Sequence, residues 1–304
     1  MKKPKALVLF SGGLDSRLAV KLMQDQFGKE NVEAVFFQLP FGGGCCSDKL
    51  CVFRFAQNQH IALHVIDVTK GKLFKEYINI LRNPKHSRGT ALNPCIDCHL
   101  FMFKKAKSIA KKIGAEIIAT GEVLGERPLS QHKKALLEIE KEAKLENKLL
   151  RPLSAKLLPE TIYEKEGVID RSKLLDIKGR RRAPQIELAK KYKIDFPTPG
   201  GGCLLCEPLY CKKLEQILQN KDLTQNDINL LSIGRHFAAS KIILGKDREE
   251  NLILEKQPWK NRVVIIPQDN PGPTALVKDR SLIEKAKKLI QKYSKHKIKE
   301  FKIK

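Results

Sequence analysis

An α/β fold is what this sequence predicts: a doubly wound parallel sheet followed by a smaller C-terminal α+β domain. Three observations carry that expectation. Short apolar runs alternate with amphipathic stretches from residue 6 to residue 120. The turn Ser11-Gly12-Gly13-Leu14-Asp15-Ser16 stands where the first apolar run gives way to the first helix. The stretch Asp195-Phe196-Pro197-Thr198-Pro199-Gly200-Gly201-Gly202 can continue neither helix nor strand, so domains are expected at residues 1–200 and 201–304.

The elements follow in order. Ala6 to Phe10 reads as a buried strand and Leu14 to Gln26 as the helix after it. Val32 to Leu39, Ile61 to Val68 and Ala115 to Thr120 read as strands. Asp48 to Gln59, Gly71 to Leu81 and Asp97 to Lys112 read as helices between them, and Leu129 to Glu146 as a further, highly charged helix. Near-continuous apolar strands separated by amphipathic helices suit a parallel sheet covered on both faces. Past residue 202 the pattern changes to helices at Lys212 to Gln219 and Thr224 to Ser232. Short strands at Lys241 to Leu244, Asn251 to Glu255, Arg262 to Ile266 and Ala275 to Val277 come next, then an amphipathic helix from Ser281 to Tyr293.

Ligands of such sheets sit at the carboxyl ends of the strands, so the opening turn, Phe41 to Ser47 and Thr120 to Arg127 are expected to converge on one cleft. The turn itself suits an anion. Gly12 and Gly13 let the backbone approach closely, Ser11 and Ser16 add hydroxyl donors, and the helix dipole points its positive end at the same spot. Asp15 beside a phosphate is repulsive unless Mg²⁺ lies between them. The Gly-Lys-Ser/Thr ending of a Walker loop is missing, which argues against a P-loop kinase or motor.

Composition sets further bounds. A formal net charge of +24, from 58 Lys plus Arg against 34 acids, favours a polyanionic partner, and nucleic acid is the usual one. The segment Lys278 to Lys304 alone holds eleven Lys or Arg against three acids. Candidate RNA contacts are Arg180, Arg181 and Arg182, Arg235, Lys285 and Lys288, with a merely solvated surface as the alternative. Aromatic content is low, so a surface that stacks single-stranded bases is not evident. No apolar run is long enough to cross a bilayer, and Met1-Lys2-Lys3 leads straight into the first strand. A cytoplasmic protein with no membrane partner is expected. Its eight cysteines then point to metal or redox chemistry rather than a disulfide framework.

Cys95-Ile96-Asp97-Cys98 has the spacing with which two thiolates hold one metal, at a helix N-terminus that lowers their pKa. Cys203-Leu204-Leu205-Cys206 is a second pair, with Cys211 shortly after; Cys45, Cys46 and Cys51 form a third group. Three readings compete: a structural Zn²⁺ site, a thiol relay carrying a persulfide, and a [4Fe–4S] cluster held by three cysteines. Spacing alone leaves zinc slightly ahead.

Several motifs in order resemble one group of tRNA thiouridine synthases, ATPases of the pyrophosphate-loop (PP-loop) type with a HUP-like fold. Ser11 to Ser16 is similar to their PP-loop, and Asn93-Pro94-Cys95-Ile96-Asp97-Cys98 to their central cysteine motif. Ala119-Thr120-Gly121-Glu122-Val123-Leu124-Gly125-Glu126-Arg127-Pro128-Leu129-Ser130-Gln131, Arg151-Pro152-Leu153-Ser154-Ala155-Lys156 and Pro199-Gly200-Gly201-Gly202-Cys203 also look like theirs. Around Ile233-Gly234-Arg235-His236-Phe237 and Ile265-Ile266-Pro267 the chain resembles a small RNA-associated (NFACT-R-like) domain. A THUMP tRNA-binding domain before the loop and a rhodanese domain carrying a persulfide cysteine are not found in the sequence. That departure turns the expectation toward cluster-dependent chemistry using sulfide.

The resemblance implies a transferase that adenylates a uridine carbonyl of tRNA with ATP and Mg²⁺, then replaces the oxygen with sulfur, forming 4-thiouridine. It implies ATP contacts from Ser11, Gly12, Gly13, Asp15, Ser16 and Gly121, and a [4Fe–4S] cluster on Cys95, Cys98 and Cys203. Cys206, Cys45 and Cys46 are additional candidate ligands; Cys206 as a fourth would close the cluster. Arg127 and Arg180 to Arg182 are candidates for steadying phosphate charge, and His99, Asp97 and Glu122 lie beside the motifs. The sulfur comes from inorganic sulfide or a sulfur-donor protein. Three other functions stay open: a 2-thiouridine synthase with a persulfide relay, an amidating PP-loop enzyme, and a non-enzymatic zinc-stabilised RNA-binding protein.

Overall fold

The computed structural model describes residues 4–42, 49–197, 203–256, 259 and 261–304. Cys45 and Cys46, most of the expected cleft segment Phe41 to Ser47, and the hinge at Pro199 to Gly202 lie outside the described residues. The chain divides into two compact units, Met1–Cys206 and Glu207–Lys304.

In the first unit the strands are β1 (Ala6–Leu9), β2 (Val32–Gln38), β3 (Ala62–Asp67), β4 (Ile117–Thr120) and β5 (Leu149–Leu150). They form one sheet in the order β3-β2-β1-β4-β5, and every pairing is parallel. The helices are α1 (Leu14–Phe27), α2 (Lys49–Asn58), α3 (Gly71–Arg82), α4 (Cys95–Ile113), α5 (Lys133–Ala143), α6 (Ile162–Lys165) and α7 (Ala183–Lys191). Ala6, Leu7 and Val8 are wholly buried, as a strand covered on both faces requires. Leu18, Met23 and Phe27 of α1 pack into the same core as Val8, Ala34 and Ala119 of the sheet.

Strand order places the site. From β1 the chain moves outward to β2 and β3, while β4 leads the other way to β5. The crevice between the ends of β1 and β4 is therefore the topological switch point, where α/β sheets bind ligands. Helix α4 leads directly into β4, so its N-terminus with Cys95 and Cys98 lies at the carboxyl end of the sheet, as the opening turn does.

The second unit contains α8 (Pro208–Leu218), α9 (Gln225–Leu230), β6 (Arg235–Phe237), β7 (Ile242–Leu244), α10 (Arg248–Lys256), β8 (Val263–Pro267), β9 (Ala275–Val277), α11 (Ile283–Tyr293) and β10 (Phe301–Ile303). Its strands form an antiparallel sheet, β10-β8-β9-β7-β6. Alternation assigns the faces. Ile242, Leu244, Val263, Ile265, Ala275 and Val277 pack with Ala286 and Ile290 of α11. Ile243, Val264 and Leu276 pack with Leu230 and Leu254 on the other side.

Residues 251–255, expected as a strand, belong instead to α10. Asp247 Oδ1 accepts from the Glu250 amide at 2.9 Å, and Glu249 and Glu250 occupy the first turn, where acids oppose the helix dipole. A short apolar run cannot choose between helix and strand by itself. Strands β6 and β10 lie outside the expected elements. The charged helix expected from Leu129 starts only at Lys133, where the His132 ring accepts from the Ala135 amide.

Candidate functional site

The opening turn is held from inside the protein. Gly12 has a φ of 83°, and a Cβ there would stand 2.8 Å from Val52 Cγ2, so only glycine fits on both counts. Ser16 Oγ donates to the Gly13 carbonyl at 2.9 Å and lies 3.2 Å from Ser11 Oγ. Arg17, 4% exposed, is the main strut. Its Nε donates to the Gly12 carbonyl at 2.8 Å, Nη1 to the Asp195 carbonyl at 2.6 Å, and Nη2 to Cys51 Sγ at 2.8 Å. Its guanidinium also covers the Phe55 ring at 4.7 Å. Sequence reading passed over Arg17, and the signal was present: an arginine on the otherwise apolar face of α1.

Asp15 faces the crevice. Burial pushes its carboxyl up to about 6, and nearby Glu126 adds to the shift while Arg182 opposes it. Its Oδ1 is buried without a hydrogen-bond partner, and so is the side-chain amide of Gln185, which is fully buried beside it. An unpartnered carboxylate oxygen of this kind is a hard ligand suited to Mg²⁺. Arg182 Nη2 pairs with buried Glu126 at 2.5 Å. The structure thus places Arg182 next to the PP-loop, while Arg180 and Arg181 are exposed.

Gly121, directly after β4, touches the loop through its backbone: a Cβ there would meet the Asp15 carbonyl carbon and the Ser16 amide nitrogen at 2.6 Å. Glu122 is 4% exposed and accepts from His99 Nδ1 at 2.7 Å and Arg151 Nε at 2.8 Å. Burial works against its charge, but Arg151 and His99 together outweigh burial and hold the carboxyl down at about 2. Arg151 also donates to Glu140, whose carboxyl burial pushes up.

The four cysteines of the two C-x-x-C pairs are brought together by backbone bonds. The Leu92 amide donates to the Leu205 carbonyl at 3.2 Å, and the Leu204 amide to the Phe41 carbonyl at 3.3 Å. These bonds stitch Cys203–Cys206 to the segment before Cys95 and to the loop after β2. Cys203 Sγ lies 3.4 Å from the Phe41 carbonyl, and Asn93 Nδ2 points at Cys95 Sγ at 3.6 Å. Tyr77, buried, holds its hydroxyl 3.2 Å from Cys98 Sγ, and Cys98, Cys203 and Cys95 all raise the Tyr77 pKa. Burial pushes the Cys98 thiol up to about 12, with Tyr77 working against the shift. The Cys95 thiol is also raised by burial, while Cys206 raises it and Arg127 lowers it. Cys206 is exposed, and Cys211 is buried on α8. Among the described residues, His86, Glu138 and Glu142 form the one set of three ligand atoms within 4.8 Å of one another; no three cysteine sulfurs pack that closely.

Asp97 turns away from the thiols, accepting from His86 at both the backbone amide (3.0 Å) and the ring (2.9 Å). The remaining candidates lie in the second unit. Arg235 is exposed with its guanidinium over the Tyr293 ring at 5.1 Å, and Lys285 and Lys288 are exposed on α11. Among the described residues no helix is long and apolar enough to cross a membrane.

A family model described as the tRNA methyl transferase HUP domain matches residues 4–191. The tRNA-specific 2-thiouridylase MnmA of Clostridium perfringens is 31% identical over 132 residues, 40% of this chain and 36% of that protein. The 2-thiouridylase MnmA of Leptospira biflexa is 22% identical over 308 residues, 94% of this chain and 73% of that protein. The chain thus spans little more than a third of the length of the first of these relatives. A solved structure, the U34-tRNA thiolase NcsA from Methanococcus maripaludis with its [4Fe-4S] cluster, is similar at a TM-score of 0.38 and 16% identity, over 76% of this chain and 74% of that one. A likeness that loose carries nothing about the site.

Proposed function

The chain belongs to the tRNA methyl transferase HUP domain family, and on that premise we propose that it is an ATP-dependent tRNA thiolase, which replaces a uridine carbonyl oxygen with sulfur. One observation carries the reading: an unbroken line of contacts joins the nucleotide loop to the thiols. Asp15 lies against Gly121, Glu122 follows Gly121, Glu122 holds His99, and His99 adjoins Cys98. An adenylating loop and a sulfur-bearing centre thereby share one crevice.

The loop Ser11 to Ser16 receives the pyrophosphate portion of ATP on its hydroxyls, its backbone and the N-terminus of α1. Asp15 supplies the oxygen ligand for the accompanying Mg²⁺, and the cation stabilises its charged form against burial. The uridine carbonyl oxygen attacks the α-phosphorus and pyrophosphate departs, leaving an adenylated base that has lost its ring N–H proton. Hydrosulfide then adds to the activated carbon, AMP leaves with the former carbonyl oxygen, and the hydrosulfide proton restores the ring N–H. Arg182, held by Glu126, places positive charge beside the departing groups.

The thiols fit a soft metal group. They are sulfur donors gathered from distant segments, and burial disfavours their ionisation unless a cation is bound. Two C-x-x-C pairs far apart in sequence match no compact zinc motif, and a cluster would be held by Cys95, Cys98 and Cys203. When bound, such a cluster would supply Lewis acidity for the sulfur nucleophile. Tyr77 would steady the Cys98 thiolate through its hydroxyl, and Arg151 fixes Glu122 just past the end of β4.

The 2-thiouridylase relatives favour the 2-position of the base over the 4-position that the motifs suggest. The test uses protein purified without oxygen and supplied with tRNA, Mg·ATP and sulfide. Expected are about four irons per chain, one AMP and one pyrophosphate per sulfur inserted, and 2-thiouridine in the digested tRNA. One zinc per chain with no pyrophosphate release would overturn the reading. 4-Thiouridine in the digest would move only the position.

A further inference from the structure

In the second unit a cavity of about 140 Å³ is lined by Asp227, His236, Ser240, Lys241, Arg262 and Lys278, among others. Arg262 has a side chain only 8% exposed; one arm pairs with Asp227, but its Nη1 is buried without a hydrogen-bond partner. Such a group costs free energy unless something in the cavity accepts from it. Lys278 Nζ lies 3.8 Å from Asp227, and Lys241 Nζ 3.9 Å from Asp279 at the surface. Among these six wall residues, three cations stand against one acid, so the wall suits an anion.

His236 supplies the opposite polarity. Its Nε2 donates to the Ile233 carbonyl at 2.9 Å, which leaves Nδ1 as a lone pair, and Nδ1 is buried without a partner. Burial and nearby Lys213 hold this imidazole down at about 4, so it is neutral at physiological pH and Nδ1 only accepts. The turn carrying the adjoining wall is strained: Ala238, Ala239 and Ser240 have φ of 50°, 51° and 62°, a left-handed run without glycine. Strain of that kind persists where the surroundings impose it, often at a ligand site.

One wall therefore asks for negative oxygens and the other for a hydroxyl donor. We infer that this cavity takes a ribose phosphate, with the phosphate on Arg262, Lys241 and Lys278 and a ribose hydroxyl donating to His236 Nδ1. In an RNA strand that hydroxyl is the 2′-OH, the group by which a protein tells RNA from DNA. Assigning the source to RNA rests on the thiolase reading; the chemistry of the cavity does not.

The test is binding by the full chain of three probes: a short single-stranded RNA, the same sequence as DNA, and uridine 3′-monophosphate. Expected is at least about fivefold tighter binding of RNA than DNA, since the DNA leaves His236 unpaired. Lys278→Gln and Lys241→Gln, both at partly exposed positions, weaken RNA and DNA alike. His236→Phe brings RNA down to the DNA affinity, with thermal melting to show that it folds. Uridine 3′-monophosphate binding as tightly as the RNA would assign the source to free nucleotide. Equal binding of RNA and DNA by the unaltered chain, or unchanged binding in both lysine variants, overturns the inference. Failure of the thiolase reading looks different: RNA is held and discriminated, yet tRNA is never thiolated.

Discussion

The backbone of Gly121 lies directly on that of Asp15, with room for hydrogen only: a Cβ would stand 2.6 Å from the Asp15 carbonyl carbon and 2.7 Å from its oxygen. Both neighbours are backbone, so neither can step aside. Gly121→Ala is therefore expected to push the strand end and the loop apart, at a cost of about 1–3 kcal/mol. Thermal melting should show the loss, and the KM for ATP should rise at least about tenfold through the displaced loop. An unchanged KM would mean that the loop does not hold the nucleotide.

Asp15 gives a pH signature in the metal-free protein. Its folded pKa, about 6, lies above the ordinary 3.8, so between those values the folded state binds the extra proton. Stability from this group is thus full below pH 4, falls as pH rises to about 6, and is flat beyond, by at most about 3 kcal/mol. Glu126 and Arg182 face it and shape the curve. Asp15→Asn should remove the fall, making the variant the more thermostable at pH 7.5 without metal. Adding Mg·ATP should raise the melting temperature of the parent chain and not of the variant. Parallel melting curves across pH 4.5 to 7.5 would dismiss the burial argument.

Arg151 neutralises two buried acids at once, Glu122 and Glu140, with its own side chain 1% exposed. Arg151→Met keeps much of the volume but takes the guanidinium from Glu140 and leaves Glu122 with His99 as its remaining partner. Breaking a buried pair from one side costs about 3–5 kcal/mol, and chemical denaturation should register it. The double variant Arg151→Met with Glu122→Gln should recover part of the loss, because one stranded charge is gone. No recovery would show that the two residues are not coupled.

Among the cysteines the effects should divide by position. Cys95→Ala, Cys98→Ala and Cys203→Ala are each expected to lower thiolation at least about a hundredfold, with tRNA binding within threefold of the parent. Cys206→Ala, at an exposed thiol, should keep activity within about threefold if the cluster has an open iron. Gel retardation of thiolated tRNA and iron per chain are the readouts. Full activity in any of the first three variants removes that residue from the ligand set.

How much was legible in advance follows from how far each signal reaches along the chain. The turn at Ser11 to Ser16 and the helix after Asn93-Pro94 declare themselves within a few residues, because the backbone preferences of glycine and proline are local. The alternation that predicts the parallel sheet is nearly as local. Residues 251–255 misled because an apolar run of that length suits either element until Asp247 and the acids beside it are seen capping a helix. Arg182 reads as one of three surface arginines, yet it pairs with Glu126, 56 residues away, beside Asp15. Nothing short-range marks it out from Arg180 and Arg181.

By itself, then, the sequence determined the kinds of chemistry on offer: an anion-binding turn, two pairs of thiols at ligand spacing and a strongly basic surface. Those depend on residue type and on neighbours a few positions apart. Only the tertiary structure decided which of these groups meet. It sets Gly121 against Asp15, links Glu122 to both His99 and Arg151, and draws Cys203 to Cys95 and Cys98. Such meetings are fixed by strand order and by backbone bonds between distant segments, and no run of neighbouring residues encodes them.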